Sequence, residues 1–361
     1  MQHLEPIELI TQPASVQEHQ SRDAAVPAPA SPTATLSALE SFLQQLSSLD
    51  SIDQQNPHTQ SWLNKHYQCM PAYLAAVAML PTEYDYNDYL NVFIDSCQLA
   101  GLLQINWSES SQDAIPVRRY RSEATRLSWQ LFDELLWMLR ERCRIPSFKN
   151  RLNARKRESK IRYQEYARYI DALFDQNDRL IVIRIDLGYT EAQAATTGME
   201  QVLTDIDHLL ANRRWNALFD HLQGYIIKTE YGAEKGIHYH ALLFFNGSER
   251  NGRSHIHLTQ QIGEYWQSVI TKGRGIYWNS NARIADFERL GRCGIGLIHW
   301  NDQELRQHLL RFVLDYLCKE DQYFRPKQGV SCKLLRKGQF PVSRQTKLGR
   351  PRKDLLSEQW G

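Results

Sequence analysis

Paired cysteines, long apolar runs and net charge are all scarce in this sequence. The six cysteines are scattered, and no two of them form a C-x-x-C pair. This spacing argues against a zinc knuckle and against a disulfide framework, so we expect a reducing, cytoplasmic location. No segment approaches the roughly 18 apolar residues of a transmembrane helix, and the acidic N-terminus lacks a signal-peptide pattern. We therefore expect no membrane partner.

The small net charge of +2 hides segments of opposite sign. Residues 1–57 contain seven acidic side chains, whereas residues 325–353 contain ten basic side chains and no acidic one. This asymmetry predicts that the C-terminal segment contacts a polyanion. Its Gly-Arg-Pro sequence resembles an AT-hook core, but sequence-independent contact with DNA phosphates is the preferred interpretation. The residues assigned to that contact are Lys347, Arg350, Arg352 and Lys353.

Composition and periodicity divide the 361 residues into four segments. Residues 1–35 are rich in Ala, Pro, Ser and Gln, which predicts disorder. Residues 36–178 show helical spacing of apolar side chains and are expected to be all-helical, with one helix over residues 122–142. Residues 179–324 contain the candidate chemistry, and residues 325–361 form the basic tail.

A basic stretch closes the helical region, with tyrosines interleaved at positions 163, 166 and 169. Cations neutralise phosphates and aromatic rings stack on unpaired bases, so this stretch is a candidate DNA-binding surface. The alternative is a solvated helix whose tyrosines face the core, since their spacing is close to helical. The candidate DNA-binding residues are Arg151, Arg155, Lys156, Arg157 and Lys160.

A His-Tyr-His sequence opens an apolar run that has the character of a buried strand. Side chains alternate along a strand, so His238 and His240 share one face and could hold one metal ion. The alternative is one solvated and one core histidine. A second strand ends at Glu230, and a hairpin would place this carboxylate opposite His238, about 5 Å away. Glu230, His238 and His240 are therefore a candidate site for Mg²⁺ or Mn²⁺.

A helix is expected from a capping box at Asn301 and Glu304 to about Glu320. Tyr316 and Lys319 are three residues apart and would share one side of it. A tyrosine can supply a nucleophilic oxygen, and a nearby cation lowers the pKa of a phenol. The alternative is that Tyr316 belongs to the core. A second His-X-His, at His255 and His257, follows a polar loop and is interpreted as surface.

The predicted element order after residue 179 is β-α-β-β-α-β followed by a helix, which is typical of a ferredoxin-like, split βαβ core. The ordered set of Glu230, His238-Tyr239-His240 and Tyr316 to Lys319 resembles the HUH endonucleases of rolling-circle replication. From Leu180 to about Gly338 the chain resembles the inovirus replication-initiator (gene-two protein) family, also described as the YagK/YfjJ C-terminal domain. Further matching segments are Arg184-Ile185-Asp186-Leu187 and Gly294-Ile295-Gly296-Leu297-Ile298.

This resemblance implies an α+β, HUH-type antiparallel-sheet core preceded by the helical region. It also implies metal-dependent, site-specific nicking and joining of single-stranded DNA to initiate rolling-circle replication of a phage, prophage or related element. Tyr316 would form a 5′-phosphotyrosine, Lys319 would assist it, and Glu230, His238 and His240 would hold Mg²⁺ or Mn²⁺. The partners would be single-stranded DNA, origin DNA and a host replication helicase or polymerase. The alternatives are a non-catalytic DNA-binding regulator with a retained core and a metal hydrolase without a covalent step.

Overall fold

The computed structural model describes residues 31–49, 52–53, 55–82, 84–104, 114–119, 122–194, 196–232, 235–319, 325–326 and 333–342. Most of the segment expected to be disordered lies outside these residues, as do Lys347, Arg350, Arg352 and Lys353. The first helix begins at Pro32, inside the predicted disordered segment, with Ser31 as its N-cap. In the described part of the chain, no helix is long and apolar enough to cross a membrane.

Helices and strands both contribute to the described chain. The helices are α1 (Pro32–Ser48), α2 (Pro57–Ala78), α3 (Asp88–Ala100), α4 (Ser128–Arg144), α5 (Pro146–Gln176), α6 (Glu191–Ala194), α7 (Met199–Asn212), α8 (His255–Tyr265), α9 (Ile284–Arg289), α10 (Gln303–His308) and α11 (Asp315–Cys318). The strands are β1 (Tyr84–Asp85), β2 (Ala114–Arg119), β3 (Ser122–Leu127), β4 (Arg179–Tyr189), β5 (Leu222–Gly232), β6 (Gly236–Asn246), β7 (Gly275–Asn279), β8 (Gly296–His299), β9 (Arg325–Pro326) and β10 (Leu335–Lys337).

The main sheet has the order β10-β5-β6-β4-β7, and β8 pairs with the first half of β4. Every pairing in it is antiparallel. The expected α+β class is therefore confirmed. The hairpin of β5 and β6 also has the predicted register, with Glu230 opposite His238.

Alternating side chains give the sheet two buried faces. On one face, Ile183 of β4 and Tyr239 of β6 belong to an apolar core shared with α7 and α8. On the other face, Val182 and Phe244 pack with α5 and with the helical segment that ends in α11. Burying each such side chain contributes about 1.5–3 kcal/mol, so this packing holds α5 and α11 against the second face. Helix α5 thus packs on the sheet and shares its core, although the sequence-based domain boundary at residue 179 assigns this helix to the preceding region.

The expectation of an all-helical region over residues 36–178 is wrong. Strands β2 and β3 form a hairpin over residues 114–127, and β1 pairs with β9. The expected helix starting at residue 122 begins at Ser128 instead. Leu131, Leu135 and Leu139 are buried at helical spacing as predicted. The helical periodicity of these leucines does not continue back to residue 122, because residues 122–127 form strand β3 and pair with β2.

The helical region contains a buried histidine, His66 of α2. Its Nδ1 lies 2.9 Å from the Tyr73 hydroxyl oxygen, and the Phe42 ring stacks on it with centroids 4.2 Å apart. Burial, with a smaller contribution from the neighbouring Lys65, lowers the pKa of His66 to about 4. The imidazole therefore stays neutral in the folded protein near pH 6, where an unfolded histidine begins to take up a proton.

We expect His66 to reduce stability in acid. As the pH falls from 6.5 towards 4, the unfolded chain binds a proton at His66 that the folded chain does not bind, so the free energy of unfolding decreases. His66→Gln should show a smaller decrease. Thermal unfolding across this pH range measures the effect, with His58→Gln, an exposed site on the same helix, as the control. An unchanged pH dependence in His66→Gln would contradict the assignment.

Candidate metal centre

Three adjacent strands place charged and imidazole side chains on one face of the sheet. The register puts Glu230 of β5 opposite His238 of β6, and His240 between Lys228 of β5 and Asp186 of β4. Cross-strand partners project from the same side of a sheet. We call this side the site face. It is the face that packs against α5 and α11, and the charged row continues directly from its apolar core.

Glu230, His238 and His240 form one buried group, which we call the metal group. Their exposed fractions are 3%, 8% and 5%, and one potential ligand atom from each lies within 4.8 Å of the others. The Glu230 Oε2 atom is 2.9 Å from His240 Nε2 and 3.9 Å from His238 Nε2. Two imidazole nitrogens and one carboxylate oxygen form a donor set that can bind a divalent metal ion.

His238 is held in the form that binds metals. Its Nδ1 lies 3.1 Å from the carbonyl oxygen of Gly236, so Nδ1–H donates there and the Nε2 lone pair faces Glu230. Burial, with His240 beside it, lowers the pKa of His238 to about 4. A neutral imidazole with a free Nε2 is the species that coordinates a metal ion.

His240 bridges two carboxylates. Its Nδ1 lies 2.6 Å from Asp186 Oδ1, and its Nε2 lies 2.9 Å from Glu230 Oε2. Burial by itself lowers the pKa of His240, but the two carboxylates outweigh it and raise the pKa to about 9. A proton and a metal ion therefore compete for Nε2. Asp186 accepts a hydrogen bond from Nδ1–H, the other ring nitrogen, and such a contact commonly orients a metal-binding histidine.

Two buried or partly buried side chains of this site were not identified from the sequence. Lys228 is buried and places Nζ 2.6 Å from Glu230 Oε1. Asp186 appears in the motif that resembles the family, but its contact with His240 was not foreseen. Strand alternation puts Lys228 and Glu230 on one face, which is the signal that would have found the lysine.

The ring of Tyr316, on α11, contacts this group at His240. Its ring centroid is 5.5 Å from that of His240, with the rings nearly perpendicular. Arg184 Cζ and Lys228 Nζ lie 5.3 Å and 5.5 Å from the centre of the Tyr316 ring. Lys228 also donates to the Tyr316 carbonyl at 3.4 Å. The structure thus brings together the tyrosine and the three candidate ligands that the sequence singled out.

Lys319 is not placed as expected. Helix α11 ends at Cys318, and Lys319 follows with extended backbone and an exposed side chain. The helix therefore stops before Lys319 can share the side of Tyr316. The N-cap also differs, because Asp302 rather than Asn301 accepts the hydrogen bond from Leu305 N–H. A π-helical segment, Leu309–Leu314, separates α10 from α11 and changes the side-chain spacing before Tyr316.

The predicted DNA-binding residues of α5 fall into two groups. Arg151 Nε and Arg155 Nε lie 3.1 Å and 2.9 Å from the carboxylate of buried Asp88, so these two arginines join α5 to α3. The side chains of Lys156, Arg157 and Lys160 are exposed. Of the interleaved tyrosines, those at 166 and 169 are buried in the core beside the sheet, which excludes them as stacking surfaces. DNA contact by α5 stays a prediction.

The second His-X-His lies on a different element. His255 and His257 open α8, which packs on the face of the sheet opposite the site face. His257 is exposed and His255 is partly buried near Asn281. This placement agrees with the surface interpretation. It also makes His257 a suitable control for substitutions in the metal group.

We expect Asp186→Asn to weaken metal binding by about 10- to 100-fold, because the substitution removes the charge that orients and polarises His240. The affinity for Mn²⁺, measured calorimetrically at about pH 8, tests this. Asp207→Asn, at an exposed carboxylate paired with Arg336, is the control. Wild-type affinity in Asp186→Asn would show that Asp186 does not support the ligand.

Residues 146–328 match the family model of the YagK/YfjJ C-terminal domain, which is just over half of the chain. The match begins at the start of α5 and includes the main strands, the metal group and Tyr316. Comparisons with curated proteins and with solved structures gave no match. The extent of the family match shows that this chain belongs to the YagK/YfjJ C-terminal domain family.

Proposed function

We propose that this protein is an HUH-type endonuclease and ligase that nicks and rejoins single-stranded DNA. In this role it would initiate rolling-circle replication of a phage, prophage or related element, as resemblance to the inovirus initiators implies. The observation that carries the proposal is the position of Tyr316, whose ring contacts His240 within the Glu230, His238 and His240 group. A nucleophilic oxygen beside a candidate metal centre suits phosphoryl transfer.

The strand order supports a ferredoxin-like core for this enzyme. Four strands, β4, β5, β6 and β7, follow one another along the chain. Across the sheet their order is β5-β6-β4-β7, so the first of them lies between the third and the fourth. Helices α7 and α8 connect β4 to β5 and β6 to β7, and both pack against the same face. This arrangement supports a split βαβ unit. It leaves the opposite face for the catalytic group.

The proposed reaction exchanges one phosphodiester bond for another. The Tyr316 phenolic oxygen, having lost its proton, attacks the scissile phosphorus, and the bond from phosphorus to the 3′-oxygen breaks. The leaving 3′-oxygen keeps the electron pair and takes up a proton. The products are a 5′-phosphotyrosine and a free 3′-OH that can prime synthesis. Attack by a 3′-OH on the phosphotyrosine rejoins the strand and restores Tyr316.

The remaining side chains prepare the site for this step. Glu230, His238 and His240 would hold Mg²⁺ or Mn²⁺, which supplies Lewis-acid polarisation of a phosphate oxygen when bound. Asp186 fixes the orientation of His240. Arg184 and Lys228 flank the Tyr316 ring, where their charges attract the phosphate and stabilise negative charge. Lys228 thus takes the role that the sequence suggested for Lys319.

The second candidate function is a DNA-binding regulator with a retained but inactive HUH-like core. The exposed cations Lys156, Arg157 and Lys160 favour it, because contact with phosphates requires no chemistry. Both functions have single-stranded or origin DNA as a partner, and the initiator would also meet a host helicase or polymerase. Only the initiator requires a covalent protein–DNA intermediate.

A covalent-trapping assay separates these functions. Labelled single-stranded DNA covering the intergenic region of the element is incubated with the protein and Mn²⁺, then analysed on a denaturing gel. The initiator predicts a labelled protein band that disappears with EDTA. Cleavage without that band would support the metal hydrolase, and DNA binding without cleavage would support the regulator.

A further inference from the structure

The edge strand β7 carries two exposed apolar side chains, Ile276 and Trp278. Their exposed fractions are 47% and 38%. Between them, Tyr277 packs towards Gly263 of α8, where any larger side chain would collide with its ring. Because α8 covers the face opposite the site face, strand alternation directs Ile276 and Trp278 to the site face.

The register places these side chains beside the metal group. Trp278 is the cross-strand partner of Asp186, and Ile276 is the partner of Gly188. A Cβ atom at Gly188 would lie 3.6 Å from His238 Cβ and 3.8 Å from Ile276 Cγ1, so His238 and Ile276 are close neighbours with no side chain of β4 between them. Strands in a sheet are about 4.8 Å apart, which puts Trp278 about 10 Å from the strand of His240.

We propose that Trp278, supported by Ile276, is a stacking platform for the base of a nucleotide that flanks the scissile phosphate. This inference rests on the proposed function and names how its substrate is held. A single-stranded nucleic acid exposes its bases, and an indole face stacks on any of them. The phosphate backbone would then lie over the centre of the sheet, where Arg184 and Lys228 supply positive charge.

The position of β7 agrees with a substrate entering from this side. Among the strands that the structure describes, β7 is the last at its end of the main sheet. An exposed tryptophan at a sheet edge could instead pair with a second protein copy. Stacking on a base and pairing between copies give different outcomes in the experiment below.

Fluorescence anisotropy with a labelled single-stranded oligonucleotide tests the platform. Binding is measured in EDTA to prevent cleavage, for wild type, Trp278→Ala, Trp278→Phe and the control Trp215→Ala, whose side chain is 93% exposed on a turn after α7. A parallel series of oligonucleotides carries one abasic position at each site around the nick. Circular dichroism and sedimentation check the fold and the oligomeric state of each variant.

The platform predicts that Trp278→Ala weakens binding by about 10- to 100-fold, whereas Trp278→Phe and Trp215→Ala stay close to wild type. One abasic position should weaken binding by wild type but not by Trp278→Ala. If Trp278→Ala binds DNA normally while wild type still forms the covalent adduct, the platform is overturned and the proposed function stands. A change in oligomeric state with unchanged DNA affinity would also overturn it. Wild type that neither binds DNA nor forms an adduct would overturn both.

Discussion

Tyr316→Phe is expected to abolish the covalent protein–DNA adduct and to reduce strand cleavage by at least about 1,000-fold. The substitution removes only the phenolic oxygen, which is the proposed nucleophile. The ring that packs against His240, Arg184 and Lys228 remains, so the fold and the metal group should be unchanged. Adduct formation and cleavage are measured with the same labelled DNA under single-turnover conditions.

The control for this prediction is Tyr163→Phe, a partly buried tyrosine of α5 within the same family domain. It should nick DNA at the wild-type rate. Metal affinity and melting temperature of Tyr316→Phe should match those of wild type. Cleavage that persists in Tyr316→Phe would remove this tyrosine from the mechanism and favour water as the nucleophile.

His238→Gln is expected to weaken binding of Mn²⁺ by at least about 100-fold, since loss of a ligand exceeds the 10- to 100-fold cost of losing an outer partner. Of the three candidate ligands, His238 is the one to remove. Glu230 and His240 belong to a continuous chain of contacts with Lys228 and Asp186, and breaking it would leave buried charges unpaired. His238 forms no close ion pair with that chain: its Nε2 is 3.9 Å from Glu230 Oε2, and its ring meets the His240 ring edge-on at 5.0 Å.

The metal affinity is measured by calorimetry, and metal-dependent adduct formation should fall with it. His257→Gln, in the exposed His-X-His of α8, is the matched control and should bind Mn²⁺ like wild type. Equal affinities for Mn²⁺ in wild type and His238→Gln, with an unchanged melting temperature, would show that His238 is not a metal ligand.

The core of the site could be predicted because it depends on local sequence. One hairpin carries all three candidate ligands, and strand alternation with a short connection fixes the pairing of Glu230 with His238. Tyr316 could be placed only through the resemblance, since it is 70 residues beyond Asn246, the last residue of the hairpin. Its contact with His240 depends on packing that no periodicity reveals.

The parts that could not be predicted depend on tertiary structure. Lys319 follows Tyr316 at helical spacing, but the helix ends at Cys318, and the buried cation is supplied by Lys228 from another element. The hairpin of β2 and β3 was missed because its short strands precede a real helical stripe. The sequence predicts that Arg151 and Arg155 bind DNA, but in the fold both pair with the buried carboxylate of Asp88.

The central claim is that Tyr316 becomes joined to DNA, and peptide mapping of the wild-type adduct tests it most directly. The adduct is trapped with Mn²⁺, trimmed with nuclease, digested with trypsin and analysed by mass spectrometry. Cleavage after Arg311 and Lys319 releases a peptide whose one tyrosine is Tyr316. We predict that this peptide carries the nucleotide mass on Tyr316. A nucleotide attached to a different residue, or DNA cleaved with no modified peptide, would contradict the account.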